Sequence, residues 1–294
     1  MKISGFTFVK DATKYDLPIV ESIRSILPIV DEYIVNVGKS DDKTLSMVKG
    51  IKSKKIKIIQ NPWDPRYTEK MRIYAVQTNL AMYQCTGDWL FYLQADEVVH
   101  EKDLDSIYKS MENNFEDKTV QGLLFDWHHF WGSYDYYLDT YVHYQREIRI
   151  IRNFLGITSW KDAQGFRLDG KKLKVKHSKG HIYHYGWVVP PAKARAKSFN
   201  HSLYYRGKKA TEKFFIPEEQ QFYYNVNPYF LSKFKGTHPA VMRSRIKKIK
   251  SEFNVKLCRT KIKGKILKRN MQTFLYRTLG LRLGEYRNYN LIRK

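Results

Sequence analysis

Apolar and polar positions along the first hundred residues follow two rhythms in turn. Ile3 to Lys10 is a β-branched and aromatic run, which predicts a strand. Between Asp16 and Leu27, apolar residues recur at Leu17, Val20, Ile23, Ile26 and Leu27, a three-and-four spacing that predicts a helix. Glu32 to Val37 reads as a second buried strand, closed by Gly38-Lys39-Ser40-Asp41-Asp42, and Thr44 to Gly50 as a short helix. Lys55 to Gln60 predicts a third strand ending at Asn61-Pro62. Met71 to Cys85 has helical periodicity and stops at Gly87. Asp88 to Gln94 is almost wholly apolar, a central strand running into Ala95-Asp96-Glu97.

Strand and helix thus alternate four times, the pattern of a doubly wound, mostly parallel α/β sheet flanked by helices. Ligands of such sheets sit beyond the carboxyl ends of the strands, so residues 8–12, 38–44 and 94–100 are candidate site loops. Beyond residue 104 the pattern predicts a helix to about Phe115 and a strand from Val120 to Asp126. An aromatic stretch from Trp127 to Tyr144 follows, then strands at Glu147 to Arg152 and His181 to Val189. There is no internal repeat and no low-complexity linker.

Composition narrows the class. Of 294 residues, 43% are hydrophobic and 15% aromatic, which excludes a disordered chain. Two cysteines, Cys85 and Cys258, exclude a disulfide-stapled scaffold. No run approaches the roughly 18 apolar residues of a spanning helix. The chain enters its first strand without a leader-like apolar segment, so a soluble protein of the reducing cytoplasm is expected.

The net charge of +24 is unevenly placed: residues 1–192 hold 27 basic and 24 acidic side chains, residues 193–294 hold 26 and 5. This predicts a near-neutral body with a basic appendage. We divide the chain into a body, 1–237, with halves 1–100 and 101–237, and a basic helical extension, 238–294. Within the extension, Ile246, Ile249, Phe253 and Leu257 alternate with Arg245, Lys247, Lys248 and Lys250. Ile266, Leu267, Met271, Phe274, Leu275 and Leu279 repeat the pattern. Basic amphipathic helices bind anionic bilayer surfaces, so residues 241–279 are expected to hold the protein to the inner face of a membrane. Packing of the same apolar stripe on the body is the alternative. Nucleic acid is disfavoured by the neutral body and the lack of any nucleic-acid motif.

Asp96 and Glu97 stand just past an apolar strand, where adjacent carboxylates suit either a helix cap or a cation. Hard divalent ions need oxygen ligands, and a nucleotide diphosphate needs such an ion. The segment Gly87-Asp88-Trp89-Leu90-Phe91-Tyr92-Leu93-Gln94-Ala95-Asp96-Glu97 resembles the metal-binding strand of family 2 nucleotide-sugar glycosyltransferases of the GT-A fold. Asn79, eight residues before Gly87, Ser40-Asp41-Asp42-Lys43-Thr44 and Asp31-Glu32-Tyr33-Ile34-Val35 resemble further pieces of that family, in its order. Residues 160–167, His184-Tyr185-Gly186-Trp187 and Leu283-Gly284-Glu285-Tyr286 are similar to a bacterial branch carrying Gln-Ala-Asp-Glu in place of Asp-x-Asp.

The resemblance implies a transferase moving a sugar from a nucleotide-sugar to a hydroxyl of a glycan or lipid-linked acceptor. It implies Mn or Mg on Asp96, with Thr7, Phe8, Val9, Lys39, Asp42, Asn79, Gln94 and Ala95 at the donor. Two departures bear on it. Gln94 replaces a carboxylate, and Val37-Gly38 replaces the Asp-Asp pair that usually helps read the base.

An inverting transfer needs a base on the acceptor side. Asp162, between a strand and the Gly165 turn, is the first candidate, and Asp126 at a strand end is its rival. His184 is expected to join Asp96 on the cation, since His181 would point to the opposite strand face. Trp127, His129, Trp131, Tyr134 and Trp187 form a candidate sugar wall, because flat rings stack on sugar C–H faces. The same density also suits a packed subdomain or a homodimer contact. Two rival classes remain: a GT-A glycan-binding protein with a degenerate metal site, and a nucleic-acid binder acting through the basic tail.

Overall fold

The computed structural model describes the chain except residues 68, 141–143, 154–155, 215–225, 249–254, 256–263 and 293–294. In chain order the first half comprises β1 (Ile3–Val9), α1 (Ile19–Ile26), β2 (Glu32–Gly38), α2 (Thr44–Lys49), β3 (Ile56–Asn61), α3 (Arg72–Met82), β4 (Trp89–Tyr92), β5 (Glu97–Val99) and α4 (Leu104–Asn113). The second half continues with β6 (Gly122–Trp131), β7 (Tyr136–Leu138), β8 (Arg146–Arg152), β9 (Ile157–Trp160), β10 (Gly165–Leu168), β11 (Lys171–Lys172) and β12 (Lys174–Trp187). It ends with α5 (Pro191–Arg206), α6 (Lys208–Phe214), β13 (Leu231–Lys233), α7 (Arg243–Lys248), α8 (Gly264–Leu279) and β14 (Asn290–Leu291).

The large sheet runs β13-β7-β6-β8-β4-β1-β2-β3, and β12 lies against β6, β5 and β14. β1, β2, β3 and β4 pair in parallel, and β8 enters antiparallel between β4 and β6. The chain winds from β1 outward to β3, then returns to place β4 on the other side of β1. This reversal opens a crevice beyond the carboxyl ends of β1 and β4, where α/β sheets bind ligands.

Close approaches explain the small residues in these strands. A Cβ at Gly5 would lie 2.6 Å from the Tyr33 ring, and one at Gly87 would lie 2.7 Å from Ser4 N. Asp88 then accepts from Lys2 N at 2.6 Å, and Gly87 N donates to Ser4 Oγ at 2.8 Å, so the Gly-Asp dipeptide fixes β4 beside β1. On and beside α1, Ile23 and Ile26 are buried as their spacing predicts, Leu17, Val20 and Leu27 are partly buried, and Ile19, outside that stripe, is buried with them.

Two elements run longer than the sequence pattern suggests. β6 continues through Trp131, absorbing the start of the aromatic stretch, and β12 begins at Lys174. α5 was not foreseen. No helix among the described residues is long and apolar enough to cross a membrane.

The basic extension is stitched to the body. Met242 is buried with Phe130, Tyr134 and Tyr185, Ile246 packs on that cluster, and Arg245 pairs with Asp16 at 2.6 Å. Asn288 and Tyr289 are buried, and β14 pairs with β12. Ile249, Lys250, Phe253 and Leu257 of the expected first amphipathic helix lie outside the described residues. On α8, Thr273 is buried against Thr140 and Arg277 pairs with Asp139 at 3.0 Å. Leu267, Met271 and Phe274 remain 54–67% exposed.

Candidate active site

At the crevice lies a cleft of about 340 Å³. Phe8 to Asp11 line it from the end of β1, Gln94 to Asp96 from the end of β4, and Asp162 and Gln164 from the loop between β9 and β10. Its far wall is α5, through Lys197, Asn200, His201, Tyr204 and Tyr205.

The two acidic residues after β4 part company. Glu97 turns into the core, where Arg149 donates to its two oxygens at 2.7 and 2.8 Å. The Arg149 guanidinium in turn lies 4.5 Å from the Trp127 ring and 5.3 Å from the Tyr92 ring. Asp96 turns to the cleft. Its backbone oxygen accepts from Tyr185 N at 2.9 Å. Its carboxylate accepts from Lys197 Nζ at 2.8 Å, with His184 Nε2 at 3.6 Å. Burial alone would raise the Asp96 carboxyl, but Lys197 and His184 outweigh it and hold the group well below the usual carboxylate range.

His184 is placed by its strand partner. His129 stands opposite it on β6, the two Nδ1 atoms are 3.2 Å apart, and His129 Nε2 lies 3.0 Å from Tyr144 O. On β12, His181 points away and binds Asp103 at 3.0 Å, as the alternation of strand faces requires.

Asp162 accepts a 2.8 Å hydrogen bond from Tyr205 Oη. Burial, with Asp162 beside it, pushes the Tyr205 phenol up to about 12, so it stays a donor. Lys161 and Ala163, on either side of Asp162, adopt φ of 54° and 60°. Asp11 and Met71, two further cleft residues, have φ of 54° and 57°. Non-glycine residues in the left-handed region cost energy and gather at functional sites. Gln94 Nε2 reaches Ala163 O at 3.5 Å, joining the β4 loop to the Asp162 loop.

Other expected residues serve elsewhere. Asp126 is held by Arg146 Nε at 2.7 Å, with His177 Nε2 at 3.0 Å, and does not line the cleft. Burial would raise its carboxyl, but these two neighbours hold it well below the usual range. The aromatic wall is largely core: Trp127, His129 and Tyr134 are buried, and Trp131 packs on Trp187 with ring centres 5.4 Å apart. Of that group only Trp187 reaches the cleft.

The expected donor residues divide in the same way. Phe8, Val9, Gln94 and Ala95 line the cleft, whereas Thr7, Lys39, Asp42 and Asn79 do not. Thr7 is buried in β1, and Lys39 is exposed after β2. Asp42 accepts from Thr13 N at 2.8 Å and Lys14 N at 3.0 Å, tying down the loop after β1. Asn79 Oδ1 accepts from Ser159 N at 2.8 Å, fastening α3 to β9.

Several cleft residues escaped the sequence reading. Lys197, His201 and Tyr204 fall at three-and-four spacing on α5, a polar and aromatic stripe that could have marked a site-facing helix. Burial and the nearby Lys197 push His201 down to about 4, so it is neutral. Trp63, after β3, packs with Phe8 and Tyr74 at ring distances of 6.0 and 5.6 Å. A Cβ at Gly38 would lie 2.5 Å from Trp63 Nε1, so the glycine that departs from the Asp-Asp pair makes room for this indole.

Comparison with known proteins adds three findings. Among solved structures, residues 1–349 of S. aureus TarS match at 17% identity over 44% of this chain and 36% of that one, TM-score 0.33. The same fragment in complex with UDP matches at 13% identity over 69% of this chain and 65% of that one, TM-score 0.39. The chain thus spans about a third of the first of these structures and just under two thirds of the second. No curated protein matches. The model of glycosyl transferase family 2 matches residues 17–165, just over half of the chain, and includes β4, Asp96 and Asp162. With the mixed, mostly parallel sheet of a GT-A fold beneath that match, the chain belongs to glycosyl transferase family 2.

Proposed function

We propose that the cleft binds a nucleotide-sugar and passes its sugar, with inversion, to a hydroxyl of a glycan or lipid-linked acceptor. The observation that carries this reading is that Asp96 and Asp162, from separate halves of the body, line one cleft at the reversal point of the sheet. Phe8, Trp63 and Tyr74 offer aromatic faces to the base near the end of β1. Asp162 takes the acceptor's hydroxyl proton while that oxygen forms its bond to the anomeric carbon. The bond from this carbon to the phosphate oxygen breaks, and the nucleoside diphosphate leaves with the electron pair. Tyr205 orients the base by donating to one carboxylate oxygen, leaving the other for the acceptor.

The family's divalent cation fits these donors poorly. Among the described residues no three His, Cys, Asp or Glu side chains are arranged to hold a metal ion. Gln94 supplies an amide, Glu97 is engaged by Arg149, and the Asp96 carboxylate already carries an ammonium.

The extension gives the same reading its setting. Leu267, Met271 and Phe274 share one face of α8, exposed beside the exposed Lys268 and Arg269. An anionic bilayer matches both the apolar stripe and the cations, and would bring the cleft to a lipid-linked acceptor.

Thermal melting with UDP-, GDP-, CDP- and dTDP-sugars tests the donor assignment. One nucleotide class should raise the melting temperature, since a ligand at about 100 times its Kd adds about 2.7 kcal/mol. No shift with any of them contradicts the reading and favours a glycan-binding protein.

A further inference from the structure

We propose that Lys197 is the resident cation of the donor site, its ammonium taking the part that a divalent ion plays beside the diphosphate. This rests on the nucleotide-sugar reading of the cleft and goes beyond it by naming what neutralises the leaving group.

Four observations converge on this residue. Lys197 projects from α5 into the cleft, and it is only 8% exposed. A lysine so enclosed needs a partner to stay charged, and it has one: Nζ lies 2.8 Å from Asp96 Oδ2 and 2.9 Å from Gly186 O. An ammonium has three N–H donors, so these two contacts leave one for a phosphate oxygen in the cleft.

The surrounding residues are shaped to this pair. A Cβ at Gly186 would overlap Asp96 Oδ2 and lie 2.7 Å from Lys197 Nζ. Only glycine lets strand, carboxylate and ammonium meet. Trp187 covers the other side, its ring centre 5.0 Å from Nζ. The donor set has changed in step: the loop after β4 keeps one carboxylate toward the cleft, and its Gln94 amide turns to Ala163 O. A dication drawn to Asp96 would meet the ammonium already there and be repelled by it. In the transfer step the departing diphosphate gains negative charge beside a fixed positive group, which stabilises the transition state without reorganisation.

The test is nucleotide binding by calorimetry, using UDP, GDP, CDP and dTDP, each in EDTA and in Mn. Wild type should bind its preferred diphosphate with the same Kd in both conditions. Lys197→Met should weaken the EDTA value by about tenfold or more, the scale of a lost charge-assisted hydrogen bond, while Lys197→Arg retains part of it. Because Lys197→Met alone leaves Asp96 buried without its partner, Asp96→Asn/Lys197→Met removes both charges and is measured beside it, with circular dichroism to establish folding. It should also lose the EDTA-resistant binding. Binding by wild type that vanishes in EDTA, or binding unchanged in the folded lysine variants, overturns the proposal but leaves the donor reading standing. No binding of any diphosphate by wild type in either condition overturns both.

Discussion

A methyl group at position 186 would collide with the carboxylate of Asp96, and so the shortest side chain in the His184-Tyr185-Gly186-Trp187 segment controls the geometry of the site. Gly186→Ala should push Asp96 and Lys197 apart and destabilise the fold by about 1–3 kcal/mol, the usual cost of overpacking. A lower melting temperature together with lost donor binding checks this. Glu147 offers a test of the core. It is 1% exposed, and its Oε2 has no hydrogen-bond partner among the described residues. Burial pushes its carboxyl from 4.5 up to about 8 against the opposing pull of Arg149. Below pH 4.5 folded and unfolded chains are both protonated there; between 4.5 and 8 only the unfolded chain ionises. This group therefore costs stability as pH rises through that window, and above it the loss is complete. Glu147→Gln should raise the melting temperature at pH 8 and leave it nearly unchanged at pH 4.5. Such roles are illegible in sequence. Asp96 and Glu97 are adjacent and chemically alike, and only the position of Arg149, fifty residues on, sends one to the core and the other to the cleft.

Elements were more legible than residues wherever periodicity reported burial. The strands β1 to β4 and the helices between them follow apolar spacing because the sheet is covered on both faces. The density of the aromatic stretch from Trp127 suits a sugar wall and a packed subdomain equally, because density does not say which side is inside. β6 carries its start into the buried cluster shared with β12, so Phe130 packs on Tyr183 and Tyr185 with ring centres 6.0 and 4.9 Å away. α5 was missed for the opposite reason: its important face is polar and aromatic, and it gives no apolar stripe. α8 has a stripe, and the fold leaves Leu267, Met271 and Phe274 uncovered while Thr273 and Arg277 fasten the helix to the body. Co-sedimentation with vesicles should therefore be strong with about 30% phosphatidylglycerol, weak with phosphatidylcholine alone, and reduced by added salt. Leu267→Asp/Phe274→Asp should abolish it at unchanged melting temperature. Equal binding by this variant would place the membrane contact elsewhere.

For the whole molecule, topology supplies the reason that the site exists where it does. The reversal of winding between β3 and β4 opens the crevice, β4 delivers Asp96 to its floor, and the loop from β9 to β10 delivers Asp162 to its rim. α5 closes the far side with a cation. A donor bound there would have its diphosphate near Lys197 and its sugar toward Asp162, with the acceptor entering past Trp187 and Tyr205. Donor turnover by wild type and by Asp162→Asn tests this arrangement most directly, read as nucleoside diphosphate released from the sugar-nucleotide that shifts the melting temperature. Wild type should release it, and Asp162→Asn should be slower by about 10²–10⁴-fold, the contribution of a general base, with diphosphate affinity unchanged. Release at the wild-type rate by Asp162→Asn, or none by wild type with any sugar-nucleotide and acceptor, would contradict the account.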